Sequence, residues 1–323
     1  MAIPRGSINH DIAFDFKNIL STLLNPKICR KANNQTLINL RKVLSKRFPN
    51  SYFSFLPFAR TSFYATLKAL DIQEGSEILM TPFNIAPMVN ILDNLKIKPI
   101  FIDINLNDFG PDYKNLEKLL SRENVKCFFL TYLFGYVPDL DLILNLCKKY
   151  NVILIEDISQ NIGAKYKNQA LGTFGKVSFY SASLTKYVDT YNGSFTITKD
   201  KKLNLILEKF SNELIDPSIK RIRFTILKTF IWNIALNIYL FSFLTFPLLY
   251  LISKINKNFF NKLLGPNISL KRTSYLPDYY FEGISEIQVK LMINQFKKLD
   301  LLLNRRRADV NLALEAIKPY SDY

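Results

Sequence analysis

Short apolar runs alternate with helix-spaced apolar positions along the chain as far as Thr198. The spacing predicts a helix over 61–70, with Thr61 or Ser62 as its N-cap. Ile78-Leu79-Met80 forms a short buried run. A strand over 97–104 follows, interrupted near its start by Lys98-Pro99. Residues 115–120 and 140–150 carry the helical period, and 125–132, 152–156, 177–180 and 195–198 read as strands. Strands alternating with helices predict an α/β fold: a mostly parallel sheet with helices on both faces. Ligands in such sheets bind beyond the carboxyl ends of the strands.

Residues 224–252 break this pattern, with Lys228 as their one charged residue. Basic residues flank them: Lys220, Arg221 and Arg223 before, Lys254 and Lys257 after. The length and apolarity fit three arrangements: a segment lying on or dipping into a membrane surface, helices buried in a core or oligomer interface, or a true span. A single span would put the two flanks on opposite sides of the bilayer. Asn233 and Asn237 weaken a simple spanning helix, and Pro247 would kink or end one. Further on, 285–303 predicts an amphipathic helix with Leu291, Met292, Phe296, Leu299, Leu302 and Leu303 on one face and Ile287 at its edge. Arg305-Arg306-Arg307 continues it as a solvated face.

Length and composition allow one large domain, with or without a small one: 323 residues, 48% of them hydrophobic. The formal charge of +16 draws anions such as phosphates, nucleotides and anionic lipid. The lysines are scattered and no nucleic-acid motif is present, so no nucleic-acid partner is expected. Cys29, Cys127 and Cys147 are widely spaced and form no CxxC pair, which reads as buried or free thiols in a reducing compartment. With His10 as the one histidine, neither a His-based metal site nor a Ser-His-Asp triad is expected, and no metal is assigned. Residues 1–18 lack an apolar core of signal-peptide length.

The candidate chemistry lies at two strand ends. Asp157 ends the run 152–156, and Lys186 follows the run 177–180 within Ser181-Ala182-Ser183-Leu184-Thr185-Lys186. A carboxylate and a lysine so placed are what a pyridoxal phosphate site needs: the lysine for a Schiff base, the carboxylate to keep the pyridine nitrogen protonated. Taken alone, the same residues also fit a surface cation and a turn-forming aspartate.

From about residue 40 to 200, and again over 279–314, the chain resembles the DegT-type (DegT/DnrJ/StrS) sugar aminotransferases, a fold-type-I family dependent on pyridoxal 5'-phosphate. Arg60-Thr61-Ser62 ahead of an apolar helix resembles the family's phosphate-binding turn. Gly75-Ser76-Glu77-Ile78, Pro99-Ile100-Phe101-Ile102-Asp103-Ile104, Leu133-Phe134-Gly135 with Pro138-Asp139-Leu140-Asp141, Glu156-Asp157-Ile158-Ser159-Gln160, Gly163-Ala164 and Gly172-Thr173-Phe174-Gly175 follow in family order, and the block ending at Lys186 completes it.

The resemblance implies roles. Lys186 would bond to the cofactor and move the proton, Asp157 would pair with the ring nitrogen, and Gln160 would lie on the ring's hydroxyl side. Ser181 and the backbone N–H groups of Arg60 and Thr61 would hold the phosphate. Family members that dehydrate carry histidine at the lysine position, so Lys186 favours amino transfer, with glutamate as donor and a nucleotide-linked keto sugar as acceptor for surface-glycan synthesis. The resemblance further implies a homodimer, in the cytoplasm or peripheral on the inner membrane face.

Four departures stand out. Arg60 replaces the usual glycine of the phosphate turn. The stacking aromatic falls by register on Ile85, with Phe83 as a substitute. Tyr280-Phe281-Glu282-Gly283 lacks the asparagine that reaches a partner's cofactor. The chain ends at Tyr323, soon after the helix that leads into the small C-terminal domain, so that domain is expected to be incomplete. The expected division is a cofactor-binding domain over 1–220, an apolar insertion over 221–260, and a return helix with the start of the small domain over 261–323. Two other functions fit these departures: a non-catalytic, membrane-attached aminotransferase-like scaffold, or an enzyme acting on a lipid-linked substrate.

Overall fold

The computed structural model describes residues 10–256 and 272–318. The readings on residues 1–9, on Lys257 and on 319–323 lie outside the described residues. The strands are β1 Tyr52–Leu56, β2 Glu77–Met80, β3 Lys98–Phe101, β4 Val125–Thr131, β5 Ile153–Asp157, the short pair β6 Lys165–Tyr166 and β7 Gln169–Ala170, β8 Val177–Ser181 and β9 Ser194–Thr198. The helices are α1 Ile12–Leu24, α2 Asn34–Ser45, α3 Ala59–Ala69, α4 Ala86–Asn94, α5 Tyr113–Leu120, α6 Leu140–Lys149, α7 Lys201–Glu213, α8 Ile219–Ala235, α9 Ile238–Ile255 and α10 Glu286–Ile317.

Seven strands form one sheet in the order β1-β9-β8-β5-β4-β2-β3. The five from β8 to β3 are parallel, and β9 runs antiparallel to both of its neighbours. The two-residue period of the strands splits the interior into two cores. Leu79, Phe128, Leu130 and Leu154 pack under α2, α5, α6 and α10, whereas Ile78, Met80, Cys127, Phe129 and Ile155 pack under α3, α4 and α7. Such double cover is why these strands are apolar on both faces.

Most predicted strands end within two residues of the observed ones, and the exceptions have local causes. The strand expected over 97–104 is Lys98–Phe101, at the sheet edge. Lys98 and Ile102 donate their N–H groups to Ser76 O, just before β2, and to Met80 O at its end, so the intervening Pro99 turns its N–H-less nitrogen to the open edge. α3 starts at Ala59, with Phe58 at the N-cap and no side-chain cap, so neither Thr61 nor Ser62 caps it. Both lie inside the helix, where the Thr61 hydroxyl donates to Tyr280 O (2.8 Å) and Ser62 bonds Ser194 (2.7 Å).

The helix predicted over 285–303 opens with a capping box between Ser285 and Gln288 and runs on to Ile317. Leu291, Met292, Phe296 and Leu299 are buried and Leu303 packs against the core, but Leu302 is exposed. Beyond Leu303 the helix leaves the body. The arginine run is exposed there, and Arg306 stacks over Tyr187. The three cysteines are buried and free.

The apolar segment 224–252 is two helices with different surroundings. α8 packs on α1, with Ile222 and Ile226 in a third small core beside Cys29, Tyr191, Ile287 and Leu291. Asn237 then accepts from the N–H groups of Tyr239 and Leu240 and starts α9. A π-helical stretch at Phe241–Thr245 precedes Pro247, whose ring and missing N–H an unbroken α-helix would not accommodate. No residue of α9 is buried.

Candidate active site

β5 ends in two carboxylates that face opposite sides of the sheet. Glu156 is fully buried on the α6 side and accepts four hydrogen bonds: from Tyr132 Oη (2.8 Å) and from the N–H groups of Gly172 (2.9 Å), Phe174 (2.9 Å) and Gly175 (2.6 Å). It therefore fixes the loop that carries the Gly172-Thr173-Phe174-Gly175 motif. Glycine is required at 175, where a Cβ would lie 2.6 Å from Leu154 O. Asp157 faces the α3 side. It accepts from the Ser159 N–H (2.9 Å) and lines a cavity of about 1410 Å³. Burial pushes its pKa up, against the opposing pull of Ser159 and of the Lys186 charge.

Lys186 lines the same cavity, on the loop after β8. Its N–H bonds back to Ser183 O (3.1 Å), and the preceding Thr185 is left-handed (φ 73°). Asp189 holds this conformation by accepting from the N–H groups of Thr185 (3.2 Å) and Tyr191 (2.9 Å). Asp189 is itself fixed from two distant parts of the chain. Its carbonyl lies 2.8 Å from His10 Nε2, and its N–H donates to Gln295 on α10 (2.8 Å). On the other side of its ring, His10 Nδ1 meets Asp15 (3.1 Å), which also accepts from Tyr191 Oη (2.7 Å) and from Asn233 of α8 (3.0 Å). Burial lowers the His10 pKa, but Asp15 and Asp189 outweigh it and the net shift is upward.

The N-terminus of α3 closes one end of the cavity. Ser62 makes the first intrahelical bond, to Phe58 O, so the N–H groups of Ala59, Arg60 and Thr61 precede the helical ladder. The bulk of Arg60 does not disturb the turn. Its guanidinium stacks over Phe58 (4.1 Å) and Tyr280 (4.4 Å), and its buried Nε has no hydrogen-bond partner. The altered stretch Tyr280-Phe281-Glu282-Gly283 is thus part of the support for Arg60. Within it, Glu282 pairs with Arg221 (2.8 Å), and Phe281 packs edge-on against Tyr64.

Most of the predicted site residues meet here. Arg60, Phe83, Ile85, Asp157, Gln160, Ser181 and Lys186 all line the cavity. Thr61 does not, because its hydroxyl is spent on Tyr280 O, and only its backbone N–H remains for an anion. Phe83 and Ile85 are both exposed, and Ile85 is the N-cap of α4. Gln160 Oε1 accepts from the Phe134 N–H (3.2 Å), and Ser181 Oγ bonds Ser183 Oγ (3.0 Å). Sequence reasoning missed Ser159, which donates to Asp157 and accepts from the Ser181 N–H (3.0 Å), tying the two strand ends together. It also missed the cavity wall of α8. Arg221, Phe224, Thr225, Lys228 and Trp232 recur every three or four residues on one face, a signal masked by the apolarity of the whole segment.

These residues suit pyridoxal phosphate. A buried carboxylate held near a lysine matches the ring and its aldehyde, and the open start of α3 with an unpartnered arginine nitrogen matches the phosphate.

The comparisons with known proteins agree. The model of the DegT/DnrJ/EryC1/StrS aminotransferase family matches residues 60–228. GDP-perosamine synthase of Escherichia coli O157:H7 is 30% identical over 140 residues, 43% of this chain and 38% of that protein. The UDP-4-amino-4,6-dideoxy-N-acetyl-beta-L-altrosamine transaminase of Campylobacter jejuni serotype O:2 is 33% identical over 147 residues, 45% of this chain and 39% of that protein. The aligned stretch thus spans well under half the length of these curated relatives. Among solved structures, E. coli GDP-4-keto-6-deoxy-D-mannose-3-dehydratase with bound hydrated PLP superposes with a TM-score of 0.66 at 19% identity, covering 97% of this chain and 74% of that one. With the family model matching more than half of the chain, and a fold shared with a PLP-bound structure, the protein belongs to the DegT/DnrJ/EryC1/StrS aminotransferase family.

Proposed function

We propose that the chain is a pyridoxal-phosphate-dependent aminotransferase that moves an amino group from glutamate to the keto group of a nucleotide-linked sugar, for surface-polysaccharide or related glycan synthesis. The observation that carries the reading is the buried Asp157 carboxylate, under the charge of Lys186, in one cavity with the uncapped start of α3. The substrate class rests on the relatives, two of which are named for making nucleotide-linked amino sugars.

When bound, pyridoxal phosphate supplies an aldehyde that accepts the amino group and a ring that withdraws electrons from the reacting carbon. The protein's residues do the rest. Asp157 would hold a proton at the ring nitrogen; a cation there offsets the burial that now disfavours its charge. Lys186 Nζ would take the proton from the carbon bearing the amino group and deliver it to the carbon on the far side of that nitrogen. The N–H groups of Ala59, Arg60 and Thr61 would bind the phosphate, with Ser181 Oγ beside them. Phe83 and Ile85 would cover the ring. Histidine at position 186 would suit dehydration; the lysine favours transfer.

The test is visible absorbance of the purified chain with pyridoxal phosphate, before and after borohydride, with the modified residue mapped. A yellow band that reduces onto Lys186, and loss of transamination in Lys186→Ala, are expected. A chain that never retains the cofactor, or a Lys186→Ala variant that still transaminates, would overturn the reading.

A further inference from the structure

α9 is 18 residues long, its mean hydropathy is 1.7, and none of it is buried. Apolar residues fall on every side of it: Ile238, Tyr239, Phe243, Leu244, Phe246 and Leu248 are exposed, and Leu240, Phe241, Leu249 and Ile252 are half-exposed. A helix that docks on a protein groove has one apolar stripe; one that is apolar on all sides needs apolar surroundings on all sides. Its polar groups suit such surroundings. Ser242 Oγ donates to Ile238 O (2.8 Å) and Ser253 Oγ to Tyr250 O (2.7 Å), so both hydroxyls are satisfied inside the helix. Lys254, its one charged residue, sits in the last turn, where a long side chain reaches back to a polar boundary.

A second observation continues this surface. Phe16, Leu20, Leu23 and Leu24 form an exposed apolar face on α1. α8 packs beside it, placing exposed Leu227 and Ile231 in the same region, with Phe230 against Phe16 (6.3 Å). Trp232 precedes α9 and Tyr239 begins it, the residue types that favour a membrane boundary. The chain's charge of +16 complements an anionic leaflet.

We propose that α9 and the adjoining face of α1 and α8 dock the protein on an anionic lipid bilayer. The chain on both sides of α9 returns to one folded body. Before it, α8 packs on α1; after it, Tyr280 accepts from Thr61, and Arg30 O accepts from the Glu286 N–H. α9 therefore enters the bilayer from one side and the chain returns to that side, as a re-entrant element rather than a crossing. Because α8 also walls the cavity as far as Leu236, docking would set that end of the cavity beside the lipid headgroups.

The test is sedimentation of the full chain with sucrose-loaded vesicles of phosphatidylcholine, alone or with phosphatidylglycerol. The chain is expected to sediment with the phosphatidylglycerol vesicles, less with phosphatidylcholine alone, and less as salt is added. A Leu244→Asp/Leu251→Asp variant should lose about tenfold or more of the partitioning while keeping the parent's thermal melt. Parent chain left in the supernatant with both vesicles would overturn the proposal, as would a variant that sediments like the parent. A soluble dimer that the two substitutions dissociate would overturn it in favour of a second copy as the occupant. Absorbance with pyridoxal phosphate, read on the same samples, separates the proposals: a colourless chain that still sediments counts against the cofactor and leaves the docking standing.

Discussion

Glu156 and Asp157 are neighbours on one strand, and their surroundings differ in what they leave undone. On the α6 side, Glu156 has three backbone N–H groups and a tyrosine hydroxyl directed at its two oxygens. That carboxylate is finished: it holds a loop and has no capacity for a ligand. On the α3 side, Asp157 has Ser159 and the field of Lys186, and it opens on a cavity. Burial raises the pKa of both. What separates a structural acid from a chemical one is therefore the number of donors already committed to it, because a buried acid with few donors favours a cationic ligand.

Substitution at each acid sharpens the contrast. Asp157→Asn keeps the shape and removes the charge, and it should lower kcat by about a hundredfold or more, since a charge fixed where the reaction needs it is lost. The chain should still fold as before, because the amide relieves a buried charge. An Asp157→Asn enzyme with parental kcat would end the distinction. Glu156→Gln is expected to act on stability. The new NH2 would face backbone donors and leave them unpaired, at a cost of about 3 kcal/mol, measured as a drop in denaturant midpoint at constant slope. An unchanged midpoint would show that the loop over 171–175 does not depend on this acid.

The smallest effect is expected at His10, behind the Lys186 loop. Its folded pKa is raised above the ordinary value near 6.5, so its stabilising contribution is complete below that value and is lost as pH rises through the folded pKa. Asp189 is also shifted upward, chiefly by burial, and favours the same direction. The parent should lose on the order of 1 kcal/mol of stability on going from about pH 6 to about pH 8, and His10→Gln should flatten that slope. Thermal melts across this range provide the check; an equally steep slope in the variant would remove His10 from the account.

Asp157 and Lys186 were legible in the sequence as a carboxylate and a lysine near the ends of two apolar runs, whereas Arg60, Ser181 and Gln160 were placed by the family resemblance; the tertiary structure brings all five to one cavity. Ser159 lay inside a recognised motif, but its role appears only when β5 and β8 pair and its hydroxyl meets the Ser181 N–H. The N-cap of α3 was misplaced because Thr61 and Ser62 have capping side chains, yet Tyr280 and Ser194, far along the chain, claim their hydroxyls. Tertiary partners override local propensity in this way wherever they satisfy the same atom.

The sequence by itself determined the parallel α/β sheet, the two-sided burial of its strands, and the pairing of a strand-end aspartate with a lysine one strand later. All of these rest on periodicities of two and 3.6 and on residue chemistry at element ends. Only the tertiary structure decided that Arg60 is stacked by Tyr280, that His10 braces the lysine loop, and that one apolar stretch divides into a cavity wall and an unburied helix. Hydropathy is a property of each segment, but burial depends on which distant segment arrives to cover it. α1 and α10 arrive over α8, and nothing among the described residues covers α9.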